Sequence, residues 1–313
     1  MILKVMATQS GSVKKVVIVT SCFLLVVIYY FGYKPVHSIA QHVVHNQAVA
    51  RQQAAAATKA QKASQLEGKL TTAWRGVLTT TPPDGNVDIA AYDNATGATA
   101  EYTNAPSGTT YDTASIIKMS ILETLLLQNQ KNHISGLTST QLAEATPMIE
   151  NSDNDAATDL WNLIGQAAAV NAFFAQIGTT HSTANAAWGL TETTALDQLK
   201  VVNQVAYPTL LDSASISAAD NLLDNVESDQ HWGVSGGVPS GVSVRLKNGW
   251  LQGDGSDFNG WEINSIGHVD GEGTNYTIAV LTSNNNTEQD GINTIQALST
   301  ATWQTVSTAA KSS

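Results

Sequence analysis

Apolar and polar positions are patterned in three different ways along the chain. Val16 to Tyr33 reads VVIVTSCFLLVVIYYFGY, 18 residues without a charge. That is long enough to cross a ~30 Å hydrocarbon core as a helix, with Tyr29, Tyr30 and Tyr33 as interfacial anchors. Residues 36–66 are rich in Ala, Gln and His, with no Pro between Pro35 and Pro82 and no Gly between Gly32 and Gly68, the composition of a polar helical spacer. Next, a helix over about Leu66 to Leu78 is ended by Pro82-Pro83-Asp84-Gly85. Val87 to Tyr92 and Ala98 to Tyr102 form a hairpin around Asn94-Ala95-Thr96-Gly97. Helical periodicity then dominates. It predicts helices near 115–131, 139–150, 155–165, 168–177, 194–206 and 215–226, the second with a capping box at Thr138-Ser139-Thr140-Gln141. Strand patterning returns at Val242 to Asn248, Trp261 to Val269 and Tyr276 to Thr282, before a last helix over about Gly291 to Val306. Strands at both ends of a helical middle predict an α/β (α+β) sandwich with a helical lobe inserted into it.

Charge adds an orientation to this picture. The chain carries a net −11, yet its first 34 residues hold Lys4, Lys14, Lys15 and Lys34 and no acid. Lys14 and Lys15, flanking the apolar run, belong on the cytoplasmic side, so the bulk of the chain is expected outside. The organisation expected is a cytoplasmic tail at 1–15, a transmembrane signal-anchor at 16–33, a helical spacer at 34–65 and an extracytoplasmic domain at 66–313. The alternative is secretion after cleavage near Ala40, where Ser38-Ile39-Ala40 presents small residues. The absence of a basic block argues against nucleic acid as a partner. The single cysteine, Cys22, excludes a disulfide framework and a thiolate metal cluster. His37, His42 and His45 read as a solvated helix face rather than a metal site, and no H-E-x-x-H spacing occurs. No metal or cofactor is expected, and the chain is expected to be monomeric.

Three short motifs carry candidate chemistry. Ser115-Ile116-Ile117-Lys118 opens the first long helix, Ser152-Asp153-Asn154 lies in an interhelical loop, and Lys247-Asn248-Gly249 ends a strand. A serine at a helix N-terminus gains from the dipole, which favours a developing alkoxide. A lysine three residues on shares its face and can take its proton, given a dry cleft and a second cation that promote the neutral amine. Ser152 and Asn154 can relay that proton and hold a substrate amide. Lys247 supplies charge for a substrate carboxylate, and Gly249 is expected to let substrate lie close along the strand. Singly these patterns are weak: Ser12-Val13-Lys14-Lys15 also matches S-x-x-K. Their order and placement carry the argument.

On these motifs, the chain from about residue 66 to 310 resembles the class A serine β-lactamases and the related penicillin-binding D,D-peptidases, whose signatures are S-x-x-K, S-D-N and K-T-G. VDIAAYDNATGATAEY resembles the family's first hairpin, Thr193-Thr194-Ala195 the start of the helix after its omega loop, and YTIAVLTSN the strand before its last helix. The resemblance implies an antiparallel sheet flanked by helices. It implies Ser115 as acylated nucleophile, Lys118 as its base and Ser152 as proton shuttle to the leaving nitrogen. Asn154 would contact the substrate side-chain amide, with Lys247, Asn248 and Gly249 along the substrate. The backbone N–H groups of Ser115 and Trp250 would form the oxyanion hole. The ligand implied is a β-lactam or a peptidoglycan stem peptide.

Three departures bear on activity. Asn248 stands where the family usually has Thr or Ser, the span from Ser115 to Ser152 is short, and the omega-loop pattern E-x-x-L-N is absent. The corresponding stretch, GTTHSTANAAWGLTETT, offers only Glu192. The residues therefore support acylation better than rapid turnover. The readings open at this point are a β-lactam-opening hydrolase, a D,D-peptidase or penicillin-binding protein with slow deacylation, and a cell-envelope sensor without turnover. Gly233-Val234-Ser235-Gly236-Gly237 also matches the G-x-S-x-G elbow, but no strand precedes it and Pro239 soon follows, so it reads as a loop.

Overall fold

Leu66, Leu70, Trp74 and Leu78 recur every four residues and are buried, the apolar stripe that docks the C-terminal part of helix α1 (Tyr33–Thr80). The computed structural model describes residues 33–253 and 259–312. The run expected to cross a membrane lies outside them apart from Tyr33, and among the described residues no helix is long and apolar enough to do so. The chain divides into a unit ending at Thr58 and a second from Lys59 to Ser313. In the first, the described residues are helical and the side chains of 44–58 are exposed. Where the sequence pattern predicts a spacer and then a separate helix, the structure has one helix, which no proline interrupts between Pro35 and Pro82.

The second unit is built on a five-stranded sheet in the order β2-β1-β7-β6-β5, with β1 (Asn86–Asp93), β2 (Ala98–Thr103), β5 (Ser243–Gln252), β6 (Trp261–Gly271) and β7 (Thr274–Asn285). Every neighbouring pair is antiparallel. The inner strands β1, β6 and β7 are buried at almost every position, so both sheet faces are covered; β2, at one edge, alternates buried and exposed. The last helix, α8 (Glu288–Lys311), packs on β6 and β7, and Trp74 Nε1 donates to Thr302 Oγ1 at 2.9 Å to join α1 to it.

The helical lobe surrounds α2 (Ile117–Lys131), whose residues 117–127 are all buried. The helix is enclosed on every side: α2 touches α3 (Ser139–Glu150), α4 (Asn154–Ile164), α5 (Gln166–Ile177), α6 (Ala195–Ala206) and α7 (Ser213–Leu223). The capping box read at Thr138 is present, with reciprocal bonds between Thr138 and Gln141. Two short strands escape the sequence pattern: β3 (Tyr111–Asp112) and β4 (Glu192–Thr193) pair antiparallel and tie the approach to Ser115 to the loop before α6. A two-residue strand has no periodicity to detect.

Candidate active site

Ser115 lies in a single 3₁₀ turn, Ala114–Ile116, that runs into α2. The serine is thus a turn ahead of the α-helix, rather than on its first residues. Ala114 before it has φ 45°, a left-handed conformation that costs an L-residue on the order of 1–3 kcal/mol and persists only where the surroundings over-determine it. Edge strand β5 presses on this turn. A Cβ on Gly249 would sit 2.7 Å from Ser115 N, 2.8 Å from Ile116 N and 2.8 Å from Thr113 O. The glycine therefore makes room for the nucleophile turn itself. Gly249→Ala is expected to force strand and turn apart, at about 1–3 kcal/mol for overpacking. The checks are a lower thermal midpoint and slower covalent labelling of Ser115.

Lys118 is the hub. It is fully buried, and its Nζ lies 3.1 Å from Ser115 Oγ, 2.5 Å from Ser152 O, 3.1 Å from Ser152 Oγ and 2.8 Å from Asn154 Oδ1. Trp188 adds its ring, 5.1 Å from Nζ to the centroid. Burial pushes the Lys118 amine down to about 8, against the opposing pull of Asp153. Ser152 reaches the lysine through another left-handed residue, φ 61°. Asp153 caps α4, its carboxylate accepting from Ala156 N at 2.8 Å, which sets Asn154 at the first position of that helix.

The strand motif divides. Lys247 is fully buried, with Nζ 3.4 Å from Asn248 O. Burial and the nearby charge of Lys118 push it down to about 7. Asn248 turns its side chain the other way: Nδ2 donates to Gln230 O at 2.7 Å and Trp232 O at 3.3 Å, and Oδ1 accepts from Ser265 Oγ at 2.6 Å. An amide with those partners braces the loop beneath β5. Trp250, two residues on and so on the Asn248 face of β5, packs 6.1 Å from Trp232 between ring centroids and lines the cleft.

Of these, Ser115, Asn154, Trp188 and Trp250 line a cleft of about 490 Å³, together with Thr158 and Trp161 among others. None of its lining among the described residues is acidic, and the buried Lys118 reaches it through its bonds to Ser115 and Asn154. Glu192 is exposed on β4, its backbone bridged to Thr183, and stands outside the lining. Sequence reasoning missed Thr158, Trp161 and Trp188. The first two could have been found as the face of α4 that continues Asn154 at i+4 and i+7. Trp188 stands out as the one large aromatic in a loop searched only for a carboxylate. The G-x-S-x-G segment is a turn, with Ser235 Oγ donating to His231 O at 3.0 Å.

No curated protein matches the chain. Among solved structures it is similar in fold to a class A beta-lactamase from Bacteroides cellulosilyticus DSM 14838, at 17% identity and TM-score 0.66 over 78% of this chain and 99% of that one. A second is TLA-3 extended-spectrum beta-lactamase, at 15% identity and TM-score 0.67 over 77% and 99%. A third is a PBP-A variant solved as an acyl-enzyme complex with penicillin G, at 17% identity and TM-score 0.63 over 75% and 95%. Residues 135–306, more than half of the chain, match the family model described as the beta-lactamase enzyme family. With this sheet, this helical lobe and this cleft, the chain belongs to the beta-lactamase enzyme family.

Proposed function

We propose that the protein is a serine hydrolase acylated at Ser115 by β-lactams or by the amides of cell-wall stem peptides, with Lys118 as general base. The observation that carries this reading is the set of four acceptors around the Lys118 amine. Ser152 O and Asn154 Oδ1 have no proton to give. In the neutral amine they hold the two N–H bonds, and the lone pair is left for a hydroxyl, that of Ser115 or Ser152. Lys118 then takes the Ser115 proton as Oγ bonds to the substrate carbonyl carbon. The proton returns through Ser152 Oγ to the leaving nitrogen as the C–N bond breaks, and an ester remains on Ser115. The N–H groups of Ser115 and Trp250 receive the oxyanion, Lys247 attracts the substrate carboxylate, and the Asn154 NH₂ meets the substrate amide. The uncharged run at Val16 to Tyr33 would hold this domain on the outer side of a membrane.

Within that reading, slow deacylation is favoured. The cleft lining offers no carboxylate among the described residues to activate water, and the indole of Trp188 stands over the lysine instead. The test is intact-protein mass spectrometry of the full chain in detergent, mixed with a penicillin and followed from minutes to hours. The expected result is a stoichiometric adduct that long outlives its formation. Rapid loss of the adduct with product accumulating would make the protein an efficient β-lactamase, and no adduct at any time would remove the acylation reading.

A further inference from the structure

The strained turn that carries Ser115 is gripped from behind by two side chains of β6. In the β3–β4 pair, Thr113 N donates to Thr191 O at 2.9 Å, and the alternation of an antiparallel ladder aims the N–H and C=O of Asp112 away from β4. Side chains meet them there. Glu262 Oε2 accepts from Asp112 N at 2.9 Å. Asn264 Nδ2 donates to Asp112 O at 2.8 Å and Thr113 O at 3.3 Å. Glu262 sits at the irregularity of β6 between Trp261 and Ile263, and its side chain and that of Asn264 reach the same residue, Asp112; Asn264 is fully buried and Glu262 only 5% exposed. Asn264 is itself held, its Oδ1 accepting from Thr282 N on β7 at 3.3 Å. Gly249 closes the turn from the β5 side.

A buried carboxyl and a buried amide spent on two consecutive main-chain residues are costly unless fully bonded, and a left-handed Ala114 needs such restraint. Burial and the charge of Asp112 push Glu262 up to about 8, yet in either protonation state an oxygen remains to accept from Asp112 N. We infer that Glu262 and Asn264 are positioning residues that hold the main chain of Asp112 and Thr113 so that Ser115 Oγ stays within reach of Lys118. The inference rests on the acylation reading of the site above, and its test separates the two.

Asn264→Asp replaces the donor with a carboxylate facing two carbonyl oxygens, Glu262→Leu removes the acceptor, and Glu262→Gln keeps an acceptor oxygen. Each full-length variant is mixed with a penicillin to obtain the saturating acylation rate and the concentration for half-saturation. Hydrogen exchange is followed on the peptide containing Asp112 and Ser115. Misplacing a reacting group by about 1 Å costs on the order of 10²-fold, so Asn264→Asp and Glu262→Leu are expected to lose roughly 10- to 100-fold in the saturating rate. Half-saturation should be unchanged, and exchange faster in that peptide alone. Glu262→Gln is expected to retain most of the rate. Wild-type rates in folded Asn264→Asp, or Glu262→Gln as slow as Glu262→Leu, would overturn the inference. If the wild-type protein forms no adduct, the acylation reading fails, and the exchange data judge the clamp alone: unchanged exchange in both variants overturns it, and local loosening upholds it.

Discussion

Ser115→Ala is expected to form no covalent adduct with a penicillin at any time or concentration, while keeping the wild-type far-ultraviolet spectrum and thermal midpoint. The total loss follows from chemistry: the adduct is an ester of this hydroxyl, and the neighbouring Ser152 Oγ is placed to move a proton, 3.1 Å from Lys118 Nζ. The intact fold follows from packing. The Ser115 side chain contributes one bond, to Lys118, whereas the turn is held through its main chain by Gly249 and by the β6 side chains. A surface-type substitution of this kind usually stays within about 0.5 kcal/mol. Non-covalent binding should survive, since the lysines and the tryptophan walls are untouched. An adduct of unchanged mass on the alanine variant would take Ser115 out of the nucleophile's role.

Lys118→Ala is expected to slow acylation by about 10²–10⁴-fold, the usual contribution of a positioned general base. Lys118→Arg should be no better, because a guanidinium stays protonated and has no lone pair to offer. The pH dependence gives a second check. Lys118 serves as base only when neutral, and burial sets its amine at about 8. The wild-type acylation rate should therefore climb as pH rises from 6 through about 8, and that limb should vanish in Lys118→Ala. Lys247 pulls the other way. Its charge, weakened by burial and by Lys118 to a value of about 7, attracts a carboxylate only while protonated. Half-saturation should thus worsen over the same range, as a change separate from the rate. An acylation rate flat with pH in the wild-type protein would mean that another group takes the proton.

Sequence and structure part company at identifiable places. The hairpin of β1 and β2, the capping box at Thr138 and the order of the three motifs are local features, set by residues adjacent in the chain, and they were readable as such. The sequence pattern ends strand β5 at Asn248, whereas the strand runs on to Gln252. Gly249 is required by another segment, the Ser115 turn, which is remote in sequence. The resemblance places Asn248 along the substrate by its position in a motif. Its actual partners, Gln230, Trp232 and Ser265, come from a loop and a neighbouring strand, and no pattern within Lys247-Asn248-Gly249 announces them.

What the sequence determined by itself was the chemistry: a serine and a lysine one turn apart, a second hydroxyl and an amide in one loop, and a second lysine on a strand. It determined the architecture too, through periods of two and of three to four residues that decide which stretches can form strands and which helices. What only the tertiary structure decided was the protonation and restraint of that chemistry. The two lysines titrate low because the sheet and the lobe close over them together. The nucleophile turn holds its left-handed alanine because β5 and β6 press on it from two sides. And an indole faces the base because the loop before α6, fastened by β4 to β3, brings Trp188 there. Each of these depends on burial and on contacts between segments far apart in the chain, which local pattern does not encode.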